Sequence, residues 1–174
     1  MSEKKNREIV EDDFYDDEDE DTQKDKYLTF QLSSEVYGIE IYHVIEIVGM
    51  QKITEVPDMP GFVKGVINLR GQVIPVMDVR TRFCMKQREY DDRTCVIVIS
   101  IEDTTIGLAV DTVNEVADIP ESNVSPPPKI GKGISSRYIR GMGKTEDDVK
   151  ILLDVNRLLF DEELVSLSNA SVSQ

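Results

Sequence analysis

Tyr27–Val48 reads YLTFQLSSEVYGIEIYHVIEIV, and Cys95–Val116 reads CVIVISIEDTTIGLAVDTVNEV, the same plan written again with matched residues 69 apart. Leu28, Phe30 and Leu32 alternate with Tyr27, Thr29 and Gln31, the period of a strand with one buried face. Ile97, Ile99 and Ile101 repeat that alternation. Gly38-Ile39-Glu40-Ile41, then Val44, Glu46 and Ile47, correspond to Gly107-Leu108-Ala109-Val110, then Val113, Glu115 and Val116. Between the strands, SSEVY and EDTTI are polar hairpin turns of equal length.

The match continues downstream at an offset of 76, with FVKGV at Phe62–Val66 echoed by YIRGM at Tyr138–Met142. VIPVMDV at Val73–Val79 is likewise echoed by VKILLDV at Val149–Val155. The change of offset places an insertion in ESNVSPPPKIGKGISS. The pattern predicts a mostly β chain built from a duplicated unit of about five short strands. Each unit is too small to bury much surface alone. We expect two small barrels packed side by side around a shared interface core. VRTRFC after Asp78 predicts a single helical turn, and VNRLLFDEELVSLS after Asp154 a longer C-terminal helix breaking near Phe160, each capped by the preceding aspartate. Gly38 and Gly107 are expected in turns or bulges where a side chain would clash.

Duplication also separates what the barrel needs from what it does not. The stretch GVINLRGQVIPVMDV, Gly65–Val79, reads as a hairpin with Asn68, Arg70 and Gly71 at its turn. The second copy has Lys144-Thr145-Glu146 where the first has Asn68-Leu69-Arg70. The fold therefore does not demand an arginine at this tip.

Bulk composition narrows the function classes. The 174 residues carry a formal charge of −14, half of it in residues 1–26. Glu11–Asp21 holds nine carboxylates and no base, a run that repels itself and predicts a disordered, solubilising leader. Such a balance repels phosphate backbones, so nucleic acid is not an expected partner. No apolar span approaches the roughly 20 residues of a membrane helix, and the N-terminus has no apolar segment of a secretory signal. Cys84 and Cys95 show no motif spacing and read as free thiols of a cytoplasmic protein.

No chemistry-bearing constellation emerges. His43 is the only histidine and has no patterned cysteine or carboxylate beside it, so it reads as a partly exposed structural residue. GKGISS at Gly131–Ser136 lacks the spaced first glycine and preceding strand of a phosphate loop. Asp111 and Asp154 sit in strand-and-turn patterns with structural uses. Neither catalysis, a metal nor a cofactor is expected. What remains is surface recognition. Ile39, Ile41, Val44, Ile45, Ile47 and Val48 exceed what one face of a strand buries. Either both faces are covered, one by each barrel, or part of the run is a docking patch.

YGIEIYHVIEIV, MPGFVKGVINLRGQVIPVMDVRTRF and TIGLAVDTVNEV together resemble the CheW family of bacterial chemotaxis coupling proteins, from about Tyr27 to Leu167. The resemblance implies two SH3-like five-stranded barrels and a non-enzymatic scaffold. Such a scaffold would join the cytoplasmic hairpin tip of chemoreceptors to the regulatory domain of the histidine kinase CheA. It implies receptor binding by Arg70 and Glu46, and a groove between barrels lined by Ile41, Ile47, Gly107 and Val113. Val44 falls in the neighbourhood of kinase or receptor coupling. The implied location is cytoplasmic, with recruitment to membrane-associated receptor arrays but no insertion. We expect a leader at 1–26, and a domain at 27–167 comprising two intertwined barrel halves, roughly 27–90 and 91–155, plus the C-terminal helix. Residues 168–174 would be a flexible tail. The competing class is a small-molecule-binding or hydrolytic β-barrel unrelated to chemotaxis.

Overall fold

The structure is a computed structural model of the chain, and it describes residues 23–128 and 137–160. The expected leader, apart from Gln23–Lys26, and the GKGISS loop, the chain beyond Phe160 and the tail lie outside the described residues. The first repeat supplies β1 (Lys26–Leu32), β2 (Glu35–Glu40), β3 (Val44–Gly49), β4 (Val63–Leu69), β5 (Gln72–Asp78) and the short helix α1 (Val79–Arg82). The second supplies β6 (Cys95–Ile101), β7 (Thr104–Val110), β8 (Thr112–Asp118), β9 (Val124–Ser125), β10 (Ile139–Lys144), β11 (Val149–Leu153) and α2 (Val155–Phe160).

The two copies exchange hairpins. One sheet runs β3-β6-β7-β5-β4 and the other β8-β1-β2-β11-β10-β9. Each therefore joins the opening hairpin of one copy to the later strands of the other. The boundary near residues 90 and 91 divides the repeats in sequence, while both sheets draw on both sides of it. Registers obey the repeat: Ile47 pairs with Ile97 as Val116 pairs with Leu28, and the parallel contacts Val76–Gly107 and Leu152–Gly38 also match. After β3 the chain returns along β4, where Thr54 N donates to Val66 O at 2.8 Å and Val66 N to Thr54 O at 2.9 Å. That bridge curls the first sheet into barrel 1. β9 lies against β10 in the same way in barrel 2.

Alternation explains the layers. Phe30, Leu32 and Ile39 from one sheet, with Ile97, Ile99 and Leu108 from the other, form a central core between the barrels. The opposite faces fill each barrel: Ile67, Val76, Val96 and Val98 in barrel 1, Tyr27, Ile119 and Leu152 in barrel 2. The expected shared interface core is present. Gly38 and Gly107 correct one expectation, since they stand inside β2 and β7 and not in turns or bulges. Their use is close approach: a Cβ at Gly107 would lie 2.6 Å from Val96 Cγ1, and one at Gly38 3.1 Å from Leu152 Cδ2.

The matched aspartates end matched strands, and each caps the helix next in the chain. Asp78 Oδ1 accepts from Thr81 N at 3.0 Å, and Asp154 Oδ1 from Arg157 N at 3.1 Å. Arg82 is buried, with its guanidinium carbon 4.1 Å from the Phe62 ring centre and 5.1 Å from that of Tyr138. Its Nε and Nη2 donate to Leu158 O at 3.0 and 2.6 Å, tying α1 to α2. Phe62 and Tyr138 are repeat equivalents, so the cation sits between two copies of one position.

Candidate functional site

Asn68-Leu69-Arg70-Gly71 closes the β4–β5 hairpin with a two-residue turn, because Leu69 pairs with Gln72. Both central residues have positive φ, +52° at Arg70 and +86° at Gly71, as a right-twisted hairpin requires. Glycine takes that conformation readily, and Arg70 is held there by the turn. Asn68 Oδ1 accepts from Gly71 N at 2.8 Å and fixes the loop. The equivalent β10–β11 connection stops its ladder at Lys144–Val149 and spans four residues instead. The tight tip belongs to the first copy alone.

Arg70 is 71% exposed, and its Nη2 donates to Glu46 Oε1. Glu46 lies on β3, at the opposite edge of the sheet order from β4. Closure of barrel 1 brings these edges together, so the ion pair spans the same seam as the Thr54–Val66 bridge. A pair this exposed contributes only about 0–1 kcal/mol, so its value lies in orienting the guanidinium. Arg70 retains a forked array of donors suited to a carboxylate or carbonyl.

The other candidate residues divide by burial. Ile41, Val44 and Val113 are half-buried and pack on the rim of the central core. Ile41 starts a 3₁₀ turn (Ile41–His43) that carries the chain from β2 in one sheet to β3 in the other. Val44 and Val113 are repeat equivalents at matched strand starts. Ile47 presents an exposed apolar side chain beside Glu46, as do Tyr42 and Ile45 nearby. Gly107 is buried in β7, and its missing side chain would point at Val96 in the core of barrel 1. The apolar run from Ile39 thus resolves into a buried Ile39, three half-buried residues at 41, 44 and 48, and exposed Ile45 and Ile47.

Several polar anchors escaped sequence reading. Arg80 donates to Asp111 through Nε at 2.7 Å and Nη2 at 2.5 Å, and Ser33 N donates to Asp111 Oδ2 at 2.8 Å. Burial alone would raise the Asp111 carboxyl, but Arg80, the Ser33 amide and Arg88 together hold it below the ordinary carboxylate range. Tyr90 donates its hydroxyl to Asp78 Oδ2 at 2.6 Å, and burial followed by that bond pushes the phenol well up. The His43 ring lies against that of Tyr42, tilted by 48° with ring centres 4.2 Å apart, and burial lowers its pKa. Among the described residues no cluster of histidine, cysteine and carboxylates has the geometry to hold a metal ion. No helix there is long and apolar enough to cross a membrane.

Residues 26–163 match the family model described as CheW-like domain. The chain belongs to that family. The chemotaxis protein CheW of Klebsiella aerogenes is 34% identical over 148 residues, covering 85% of this chain and 89% of that protein. The CheW of Bacillus subtilis is 33% identical, covering 79% and 88%. Among solved structures, the scaffolding protein TtCheW from Thermoanaerobacter tengcongensis superposes with a TM-score of 0.71 at 36% identity, covering 77% of this chain and 91% of its own. The CheW fold of two SH3-like subdomains is the hairpin-exchanged pair of barrels described above.

Proposed function

We propose that the tip formed by Arg70 and Glu46 is the receptor contact of a chemotaxis scaffold that couples chemoreceptor hairpin tips to the regulatory domain of CheA. The scaffold role in chemotaxis, without catalysis, is that of the family to which the chain belongs, and a pocket-binding or hydrolytic barrel is not favoured beside it. Receptor and kinase as the particular partners are our reading, as is a cytoplasmic protein recruited to receptor arrays. A receptor tip is a helical hairpin, so a helix-in-groove mode applies, with apolar anchors supplying most of the affinity. Ile41, Ile47 and Val113 supply such anchors along the junction of the barrels, and Gly107 lets β7 lie close to its neighbours beneath them. Val44 belongs to the same rim and is assigned to kinase or receptor coupling.

The observation that carries this reading is an exposed arginine, oriented by a partner carboxylate on a turn the second copy lacks. Arg70→Ala is expected to change folding stability by no more than about half a kcal/mol, as surface substitutions do. Receptor affinity should fall by about 1–3 kcal/mol through loss of a charge-assisted contact. Affinity for the kinase regulatory domain should change less. Melting temperature and both affinities, measured on one purified variant, test this. An unchanged receptor affinity would remove Arg70 from the site, and a large fall in melting temperature would make it structural.

A further inference from the structure

The two barrels carry matched carboxylates with unmatched cations. Glu46 on β3 and Glu115 on β8 are repeat equivalents, each at a shift in strand register, and each is followed by an exposed apolar residue, Ile47 or Val116. In barrel 1 the cation is the exposed member, since the Arg70 side chain is 71% accessible and that of Glu46 28%. In barrel 2 the order is reversed, with Lys150 of β11 13% accessible and Glu115 68%. Arg70 has Glu146 as its repeat equivalent, so the second tip supplies no arginine to cover Glu115. Lys150 Nζ stands 3.8 Å from Glu115 Oε1, beyond hydrogen-bond reach, and the carboxylate keeps its acceptor capacity. The backbone beneath it is pinned by a group the first copy lacks. Thr29, fully buried, donates its hydroxyl to Glu115 O at 2.7 Å and accepts from Glu115 N at 3.2 Å, where the first copy has Val98. Such irregularities in a strand re-aim the side chain they carry.

We propose that Glu115 is a second charged contact of the receptor groove, taking a basic side chain of the receptor tip and so fixing the direction in which the tip lies. The inference rests on the reading given above, in which the groove passes Ile47 of β3 and Val113 of β8. Glu115 lies two residues beyond Val113 on the same strand. The apolar residues of the two strands correspond, Val44 to Val113 and Ile47 to Val116, so they do not by themselves distinguish one direction of a bound helix from the other. The exposed charges do, because barrel 1 presents a guanidinium and barrel 2 a carboxylate. A tip turned end for end would set its acid against Glu115 and its base against Arg70. Like charges brought together in an interface are costly, and that cost rejects the reversed arrangement. The partner is thereby defined as a hairpin tip with an acceptor facing barrel 1 and a lysine or arginine facing barrel 2.

The test measures the affinity of the full-length protein for a chemoreceptor cytoplasmic fragment, with the melting temperature of each variant alongside. Glu115→Gln should weaken binding by about tenfold, and Glu115→Lys by more, while the melting temperature of Glu115→Gln stays unchanged. Lys150→Met removes the cation that competes for the carboxylate and should tighten binding several-fold, an outcome that a merely structural Glu115 would not produce. Among receptor fragments with one tip lysine or arginine changed to glutamate, one should bind Glu115→Lys better than it binds the parent protein. Unchanged affinity in Glu115→Gln would overturn the proposal, as would failure of every such receptor change to restore binding. Arg70→Ala in the same assay separates the two readings. Loss of affinity there with none in Glu115→Gln overturns the Glu115 contact and keeps the receptor site, whereas no loss in either variant removes both.

Discussion

Gly107 and Gly38 occupy matched positions but leave different room for a methyl group. The 2.6 Å approach to Val96 at Gly107 is closer than any real Cβ contact, whereas the 3.1 Å to Leu152 at Gly38 can be relieved by a small shift. Gly107→Ala is expected to cost about 1–3 kcal/mol through overpacking, and Gly38→Ala less, by urea unfolding of the two variants. Both glycines stood out in the sequence because both copies keep them. Their reason did not, since a missing side chain says nothing about which strand passes close by. Arg70 was legible because the copies differ there, whereas Glu46, which has Glu115 as its match in the second copy, was pointed to only by the family resemblance. Their pairing was not legible, because it depends on barrel closure. Arg82 gave no signal: its burial depends on Phe62 and Tyr138, one ring from each copy.

At the level of elements, the two aspartate caps carry unequal duties. Asp154→Ala is expected to cost about 1 kcal/mol, the usual value of a lost N-cap. Asp78→Ala should cost about twice that, because it also strands the Tyr90 hydroxyl. Tyr90→Phe alone should cost roughly 1 kcal/mol and add almost nothing in the Asp78→Ala background, so a double-mutant cycle isolates the bond. Asp111 ties three elements: α1 through Arg80, the β1–β2 turn through Ser33, and the crossover from β7 to β8. Its carboxyl is held below the unfolded value, so the folded state binds fewer protons at mildly acidic pH. The resulting stability is fully present above the unfolded pKa of about 3.9 and is lost as pH falls through the folded one. Stability measured from pH 6 to 2 should fall with a slope that is reduced in Asp111→Asn.

For the whole molecule, the exchange of hairpins makes the halves interdependent. Separate fragments 23–92 and 93–174 are each expected to lack a cooperative unfolding transition, and an equimolar mixture to regain one. A cooperative transition in either fragment alone would show that its strands pair within one repeat. The duplication, the short strands and the shared core could all be read from offsets of 69 and 76. The exchange could not, because Ile47 and Val116 have matched neighbours whichever copy supplies the paired strand. Local pattern specifies faces, and partner choice is made by packing over long sequence separations.

Hairpin exchange also sets an order on birth from the ribosome. Barrel 1 is fully encoded once Val110 has emerged, yet its own first strand, β3, is preceded by a hairpin that belongs elsewhere. β1 and β2 leave the exit tunnel together, and the open edge of β1 must wait for β8 while that of β2 waits for β11, more than a hundred residues of translation later. At about 5–20 residues per second that leaves the edge of β2 unclaimed for on the order of 5–20 s. The nascent chain is most exposed to misassembly during this interval, and the acidic run Glu11–Asp21 emerges ahead of the waiting hairpin.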